Sequence, residues 1–339
     1  MPVFNGEKFL KAAIDSILNQ TFSDFDFIIL NDNSTDTTEA ILLAAQKEDS
    51  RIILIDKKEN IGPAYLRNEG INLANTLYVA LMDADDISLP TRFEKQIKVL
   101  DENPHIGLCA TWFTFFGGKK NKTIKHNVNH DELKVTLLDR CCIGNPTVMF
   151  KKNIFGDFHF DNQYVPAEDY DLWSRFISKT NFYTIPESLL LYRWHSSNIS
   201  KTKIVNLKKS DRAIKINQLS NLGIPADDEN IKYYLSAVTF QRGLSSDEII
   251  KTIYFSSELL YKNKQYAYYN QQLFEKHITN ILVRTARNAS DYNLDYLSVL
   301  KSKKILNEFK FFTKMIVLFK SIFKFRNGKK YLASKINSK

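Results

Sequence analysis

Strand-like and helix-like segments alternate along the first two hundred residues, and this alternation constrains the fold more than any other feature. Apolar runs typical of strands, such as DFDFIILND and RIILID, are each followed by a segment with helical periodicity. The helix after the first of these strands is predicted to take Ser34 or Thr35 as its N-cap, and the next helix to begin at Pro63. Because parallel strands need crossover connections of this kind, we predict an α/β fold with a mostly parallel sheet flanked by helices.

The acidic turn DADD follows another of these strands, LYVALM, and is the clearest chemical signal in the chain. Its three carboxylates repel one another, since all are nominally ionised at neutral pH. A strand end directs alternate side chains the same way, so Asp83 and Asp85 can face one divalent cation. Oxygen ligands suit Mg²⁺ or Mn²⁺ and leave coordination positions for phosphates. The alternative is a solvated helix cap ahead of Pro90.

Three further polar residues are candidates for chemistry, and each has a structural alternative. Asp32 ends the strand DFDFIILN, where the polar residues after it either line a crevice or form an Asx turn and helix cap. Asp169 lies at the helix start in AEDYDLWSR, either as a general base or as an acid favoured by the helix dipole. His195 follows an apolar strand, and a lone histidine is more often structural than a ligand.

Charge is divided unevenly along the 339 residues, whose net charge is +9. Residues 1–200 carry 21 basic and 27 acidic side chains, whereas residues 301–339 carry 12 basic and 1 acidic. A basic tail on a mildly acidic body suggests a negatively charged partner, either a membrane or nucleic acid. No apolar run reaches the ~18 residues of a membrane span. The cysteines have no metal-site spacing, and we expect Cys141 and Cys142 to be reduced in a cytosolic interior.

Seven segments in register resemble the family 2 glycosyltransferases, which have the GT-A fold. They are MPVFNGEKFLKAAIDSILNQTF, ILNDNSTDTT, NIGPAYLRNEGI, LMDADD, GNPTVMF, AEDYDLWSR and YRWHSSNIS. The resemblance covers roughly residues 1–200 and implies a Rossmann-like catalytic domain over residues 1–202. The rest of the chain has helical patterns, so we predict a helical extension over residues 203–308 and a basic amphipathic tail over residues 309–339.

The resemblance implies a nucleotide-sugar site. Its residues here are Pro2, Val3, Phe4, Asn5, Glu7, Asp32, Arg67, Asp83, Ala84, Gly144 and Glu168. Asp32 matches the family's acid that recognises uracil, and Arg67 matches a residue near the base. Asp83 matches the carboxylate that meets the ribose, and Gly144 belongs to the loop beside the donor sugar and acceptor.

The same resemblance implies the catalytic and metal residues. Asp169 occupies the position of the catalytic base, and Asp85, with Asp83 and His195, is implied to bind Mn²⁺ or Mg²⁺. The cation then stabilises the departing diphosphate while Asp169 takes the proton of an attacking hydroxyl, so that configuration inverts. The expected donor is a UDP-sugar and the expected acceptor a glycan or lipid-linked glycan in surface polysaccharide synthesis. The expected location is cytoplasmic, at the inner face of the plasma membrane.

Two positions depart from the family pattern. Members usually have apolar residues before MPVFN that form the first strand, so we expect either a natural start upstream of Met1 or a truncated chain. Asn33 stands where glycine is frequent in the family. Because Asn tolerates a positive φ, we expect the turn to be kept.

The segment EFKFFTKMIVLFKSIFKF, residues 308–325, has two faces at helical spacing. One face carries Lys310, Thr313, Lys314, Val317, Lys320, Ser321 and Lys324. The other carries Phe312, Met315, Phe319, Ile322 and Phe323. This pattern predicts an interfacial helix on an anionic membrane, with Lys329, Lys330 and Lys335 adding attraction. The alternative is a core-packing helix with a solvated lysine face.

Two other classes of function are alternatives. A phosphohydrolase of the haloacid dehalogenase type also has Asp-x-Asp after an apolar strand, but it needs a Thr or Val soon after the second Asp and a Gly-rich flap. The stretch DADDISLP offers neither. A nucleic-acid-binding module would use the basic tail, but the aromatic residues there form an apolar face rather than stacking platforms. We therefore expect no nucleic-acid partner.

Overall fold

The computed structural model describes residues 1–118, 120–195, 198, 203–239 and 243–323. The chain divides into two compact units, Met1–Ile214 and Lys215–Lys339. The division falls inside the helix Ile204–Leu219, whereas the boundary expected from the sequence lies after residue 202. Within the described ranges, no helix has both the length and the apolar character needed to cross a membrane.

A three-stranded parallel sheet begins the fold, as the alternating pattern predicts. Its order is β1–β2–β3, and its strands are Pro2–Val3, Phe27–Asn31 and Ile52–Asp56. The helices that connect this part of the chain are α1 (Leu10–Leu18), α2 (Thr38–Glu48) and α3 (Pro63–Leu73). Apolar side chains from α1, α2 and the strands form one buried cluster, which leaves Asp32 at the carboxyl edge of β2. The position of the natural start relative to Met1 stays a prediction.

A second, mixed sheet follows in the described part of the chain. Its strands are β4 (Tyr78–Ala80), β5 (Ile87–Ser88), β6 (Ile106–Phe116), β7 (Lys122–Ile124), β8 (Met149–Lys151) and β9 (Asn181–Arg193). The order is β4–β8–β6–β9–β5, with β7 paired to β6. Only the β6–β9 pair among these described strands is parallel. The α/β class is confirmed, with parallel pairing in the first sheet and between β6 and β9 of the second.

Four helices accompany the second sheet in the described residues. They are α4 (Arg92–Glu102), α5 (His130–Leu137), α6 (Lys152–Phe155) and α7 (Glu168–Phe176). Helix α7 matters most, because its first turn carries Glu168 and Asp169. The side chains of Leu172, Trp173 and Phe176 are completely buried in the same apolar cluster. This packing fixes the rotation of the helix and therefore the direction of its first turn.

Two expectations about the turn after β2 have opposite outcomes. An N-cap at Ser34 or Thr35 is wrong, because α2 begins only at Thr38. The amide of Asn5 donates to Ser34 Oγ at 3.0 Å, and the amide of Thr35 donates to Asn5 Oδ1 at 2.9 Å. These two residues therefore bind the loop after β1 instead of capping a helix. The expectation for Asn33 is confirmed, since its φ is +58° and the turn is formed.

The C-terminal part is helical where the structure describes it, as predicted. Its helices are α8 (Ile204–Leu219), α9 (Ile231–Thr239), α10 (Ser246–Tyr266), α11 (Gln271–Arg287), α12 (Leu294–Ser302) and α13 (Phe311–Ile322). Helix α10 begins with a capping box in which the side chains of Ser245 and Glu248 accept each other's backbone amides. Residues 324–339 of the predicted tail lie outside the described residues.

Candidate active site

The acidic turn after β4 holds two partly exposed carboxylates with separate partners. Asp83 Oδ1 accepts a hydrogen bond from Arg67 Nη2 at 2.9 Å. Asp85 Oδ2 lies 2.8 Å from His195 Nε2. Burial and the charge of Asp83 raise the pKa of Asp85, while His195 opposes that shift. Asp85 and His195 are therefore side by side, and the Arg67 guanidinium offsets part of the repulsion among the acids of the turn.

The third carboxylate of the turn, Asp86, is a structural anchor. It is buried, and its Oδ1 accepts the amide of Arg193 at 2.8 Å. Arg193 Nε donates to the carbonyl of Asp85 at 2.8 Å, and the guanidinium lies 4.4 Å from the ring centroids of both Phe9 and Phe116. Burial, with the nearby charge of Asp85, raises the pKa of Asp86 well above its ordinary value. Asp86 thus fixes the turn that presents the other two acids.

Arg67 joins the acidic turn to the start of α7. Its Nη1 donates to Glu168 Oε1 at 2.7 Å, and its Nη2 makes the bond to Asp83. The side chains of Arg67 and Glu168 are only 10% and 9% exposed. The guanidinium also lies 5.5 Å from the centroid of the Phe160 ring. Sequence reasoning placed Arg67 near the nucleotide base; in the structure its donors are engaged by two acids of the site.

Asp169 follows Glu168 in the first turn of α7 and is partly exposed. Its Oδ1 accepts the amide of Tyr170 at 2.7 Å. Burial and the adjacent charge of Glu168 raise the pKa of Asp169 to about 7, against the lowering effect of Arg67. A carboxylate with a pKa near neutrality accepts a proton more readily than an ordinary aspartate. This side chain can therefore deprotonate a hydroxyl.

Sequence reasoning selected His195 from the stretch YRWH and missed the two residues at its start. Arg193 braces the acidic turn as described above. Tyr192 packs between aromatic rings, with its centroid 5.6 Å from that of Phe113 and 5.3 Å from that of Phe115. Burial raises the pKa of Tyr192, and four nearby acids add to the effect: Asp83, Asp86, Asp85 and Asp169. The available signal was the position of both residues at the end of the strand that precedes His195.

The loop after β1 lies against the turn after β2. Pro2 and Val3 form β1 itself, and Phe4 is half exposed. Asn5 makes the two bonds to this turn given above. Glu7 Oε2 accepts the amide of Thr37 at 3.1 Å and its hydroxyl at 2.7 Å. The side chains of this loop are therefore bound to the neighbouring turn, and their role toward a nucleotide stays a prediction.

Asp32 is buried and orients the start of α3. Its Oδ1 accepts the amide of Ile61 at 2.8 Å, and its Oδ2 accepts the amide of Gly62 at 2.9 Å. Helix α3 carries Arg67, so Asp32 contributes indirectly to the placement of the guanidinium. Recognition of uracil by Asp32 stays a prediction, and it would use the second lone pair that each carboxylate oxygen retains.

Ala84 and Gly144 were also predicted to lie in the donor site. Ala84 separates Asp83 from Asp85 and packs, partly buried, against the core. Gly144 precedes the short 3₁₀ turn Asn145–Thr147, and a Cβ there would lie 3.0 Å from the ring of Phe113. Packing therefore already accounts for the glycine, and a contact with the donor stays a prediction.

The residues present fit a divalent cation only if the protein supplies few of its ligands and leaves the other coordination positions open. Among the described residues, no group of three His, Cys, Asp or Glu side chains is arranged to hold a metal. Asp85 and His195 offer an oxygen and a nitrogen side by side, whereas Asp83 is engaged by Arg67. Such a pair suits a cation that keeps most of its coordination for water and phosphate oxygens.

Comparison with solved structures defines the fold. A crystal structure of S. aureus TarS in complex with UDP aligns with a TM-score of 0.56 at 15% identity, and the alignment covers 90% of this chain and 87% of that one. The GT-A fold expected from the sequence is thereby confirmed.

Sequence comparisons then give the family. The family model described as Glycosyl transferase family 2 matches residues 1–162. The O-antigen biosynthesis glycosyltransferase WbnJ of Escherichia coli is 30% identical over 216 residues, which cover 60% of this chain and 82% of that protein. The chain belongs to glycosyl transferase family 2, and the protein is a glycosyltransferase.

Two further relatives are similar over part of the chain. An uncharacterized glycosyltransferase of Methanocaldococcus jannaschii is 38% identical over 192 residues, covering 55% of this chain and 66% of that protein. The Escherichia coli protein WfgD is named a UDP-Glc:alpha-D-GlcNAc-diphosphoundecaprenol beta-1,3-glucosyltransferase. It is 29% identical over 212 residues, covering 62% of this chain and 81% of that protein.

Proposed function

We propose that this glycosyltransferase is inverting and metal-dependent, and that it moves a sugar from a UDP-sugar to a hydroxyl of a glycan or lipid-linked acceptor. One observation carries the proposal. Asp169, whose pKa is raised to about 7, lies in the first turn of α7. Its neighbour Glu168 is joined through Arg67 to Asp83 in the acidic turn. The names of WfgD and of the UDP-bound TarS structure support a uridine nucleotide as donor.

Asp169 acts as the general base in this proposal. It accepts the proton of the acceptor hydroxyl while the hydroxyl oxygen forms a bond to the anomeric carbon. The bond from that carbon to the donor's diphosphate oxygen breaks, and its electron pair leaves with the diphosphate. Attack on the face opposite to the leaving group inverts the configuration. Arg67 keeps Glu168 in place beside the base and limits the negative charge around it.

Asp85 and His195 are proposed to hold Mn²⁺ or Mg²⁺ beside the donor's diphosphate. When bound there, the cation supplies Lewis-acid stabilisation of the negative charge on the leaving group. Asp83 already accepts a hydrogen bond from Arg67 through Oδ1, and we assign this carboxylate to the ribose. Tyr192 lies near the same acids and packs against the ring of Phe115, so we place it on the aromatic side of this site.

Release of nucleoside diphosphate from a panel of nucleotide-sugars, with and without Mn²⁺, tests the proposal. We expect Mn²⁺-dependent release from a UDP-sugar. The His195→Ala variant should need at least about tenfold more Mn²⁺ for half-maximal rate, because it removes a ligand. The exposed His105 offers a matched control, and His105→Ala should leave the Mn²⁺ requirement unchanged. Full turnover after chelation of all divalent cations would contradict metal dependence.

The rate of transfer is expected to rise with pH up to about 7, the pKa of Asp169. The side chain serves as a base only in its ionised form, so kcat/KM should fall about tenfold per pH unit below that value. A series of rate measurements from about pH 5 to pH 9 at saturating Mn²⁺ checks this. A profile that stays flat down to about pH 5 would show that the base has an ordinary carboxyl pKa.

We infer further that the enzyme works in the cytoplasm at the inner face of the plasma membrane, in surface polysaccharide synthesis. The acceptor named for WfgD, a sugar on diphosphoundecaprenol, supports a lipid-linked acceptor. The name of WbnJ supports a role in polysaccharide synthesis. The strongly basic residues 309–339 are the proposed contact with the anionic surface.

A further inference from the structure

Helix α13, Phe311–Ile322, packs on the C-terminal unit with the side that carries its lysines. Val317 is 2% exposed and Ser321 is completely buried. The helix packs against α12, and Lys320 Nζ lies 5.1 Å from the ring centroid of Tyr292. The buried side therefore carries Val317 and Ser321, and Lys320 lies partly buried on the same side. This arrangement is the reverse of the core-packing alternative, in which the lysine side would face solvent.

The apolar side of α13 is consequently exposed. Phe312 is 81% exposed and Phe319 is 62% exposed. The other exposed apolar side chains of this segment are Phe311, Met315, Ile316, Ile322 and Phe323. Two ring pairs give the surface continuity, with centroids 5.8 Å apart for Phe311 and Phe312 and 4.5 Å apart for Phe319 and Phe323. A contiguous apolar surface of this kind marks a site of contact with a partner.

The chain segment that carries this apolar face is almost entirely positive in charge. Exposed lysines precede it at Lys301, Lys303, Lys304 and Lys310. Residues 301–339 together carry 12 basic side chains and one acidic side chain. A second copy of this chain would bring the same positive charge to the interface, which opposes self-association. An anionic bilayer supplies both an apolar interior and negative headgroups.

We propose that the exposed side of α13, made of Phe311, Phe312, Met315, Ile316, Phe319, Ile322 and Phe323, is a docking face for an anionic lipid bilayer. The rings enter the region between headgroups and acyl chains, and the flanking lysines contact the headgroups. The proposal specifies which side of the tail meets lipid. It does not depend on the identity of the sugar donor or on the mechanism of transfer.

Co-sedimentation of the full chain with vesicles tests the proposal, using two parts phosphatidylcholine to one part phosphatidylglycerol. We expect binding that weakens when phosphatidylglycerol is omitted or salt is raised. The double variant Phe312→Glu with Phe319→Glu should bind at least about tenfold more weakly, because two exposed rings no longer enter the bilayer. The matched control is Val205→Glu with Tyr261→Glu, whose parent side chains are 77% and 60% exposed. This control makes the same change in charge and should bind like the parent.

Release of nucleoside diphosphate in solution should be equal in the parent and both double variants, so a failure of docking is distinguishable from a failure of the proposed catalysis. All four positions are exposed, and equal thermal unfolding midpoints would verify that both variants fold. Equal binding by the two double variants would overturn the proposal. A parent that ignores the vesicles would also overturn it. So would a parent dimer in solution that only the α13 variant dissociates, since the face would then belong to a second copy.

Discussion

The Asp169→Asn variant is expected to transfer sugar about a thousandfold more slowly than the parent, a loss within the range that a general base contributes. The amide is isosteric and can still accept the hydrogen bond from the amide of Tyr170 through its Oδ1. It cannot take a proton from an attacking hydroxyl. Binding of the nucleotide-sugar, measured by calorimetry with Mn²⁺ present, should change little. A loss of turnover without loss of donor affinity identifies a group that acts in the transition state.

The same variant is expected to be at least as stable as the parent at about pH 8. Burial and Glu168 raise the pKa of Asp169 from its ordinary value of 3.8 to about 7, so the fold disfavours the ionised form. A raised carboxyl pKa costs stability in full above the folded pKa, and that cost disappears as the pH falls toward the unfolded pKa. A neutral asparagine removes the cost at pH 8. If Asp169 served only to interact favourably with the helix dipole, Asp169→Asn would instead be less stable than the parent.

A second acid on the same helix provides the matched control. Asp171 is buried and accepts hydrogen bonds from Arg175 Nη2 at 2.7 Å and Nε at 3.0 Å. Asp171→Asn weakens these charged hydrogen bonds but also removes a carboxylate whose pKa burial raises, so the free energy of unfolding should change by less than about 1 kcal/mol. This variant should leave turnover near that of the parent. Equal turnover by Asp169→Asn and the parent, or equal losses in the Asp169 and Asp171 variants, would contradict the assignment of Asp169 as the base.

The sequence specified the strands and helices of the N-terminal half because each has a local cause. Pro63 begins α3, as its fixed φ and missing amide hydrogen predict. The apolar strand before Asp32 ends where polar residues begin, so the acid was expected at the edge of the sheet. The N-cap of α2 was predicted wrongly because the competing partner, Asn5, is about thirty residues away in the chain. Local pattern cannot weigh a contact of that range.

The contacts among the site residues could not be predicted from the sequence, for the same reason. Periodicity placed Asp83, Asp85 and Asp86 in one turn, but it gave no reason why only Asp86 is buried. The two hydrogen bonds of Arg67 reach acids in different elements, and one of those acids is 101 residues away. In the tail, periodicity defined two faces of α13 correctly. Which face packs on the protein depends on the shape of α12 and its neighbours, which the pattern does not contain.

Replacement of Arg67 by methionine is expected to lower the free energy of unfolding at neutral pH by about 3–5 kcal/mol, the range for breaking a buried ion pair. Methionine preserves much of the volume but leaves Asp83 and Glu168 without the cation that each contacts at 2.9 and 2.7 Å. It also removes the charge that lowers the pKa of Asp169, so the base should ionise only at higher pH. Chemical unfolding and a pH profile of kcat/KM check the two effects.

Two comparisons separate a bridging role for Arg67 from a general effect of removing a charge. Lys95 and Glu187 form an exposed ion pair with an N–O distance of 2.6 Å, and Lys95→Met should cost less than about 1 kcal/mol. Combining Arg67→Met with Glu168→Gln should recover part of the lost stability, because one uncompensated buried charge is removed. A coupling energy of about 1–3 kcal/mol is expected from such a cycle between contacting residues. Additive losses, or a loss from Arg67→Met as small as that from Lys95→Met, would mean that Arg67 does not hold the acidic turn and α7 together.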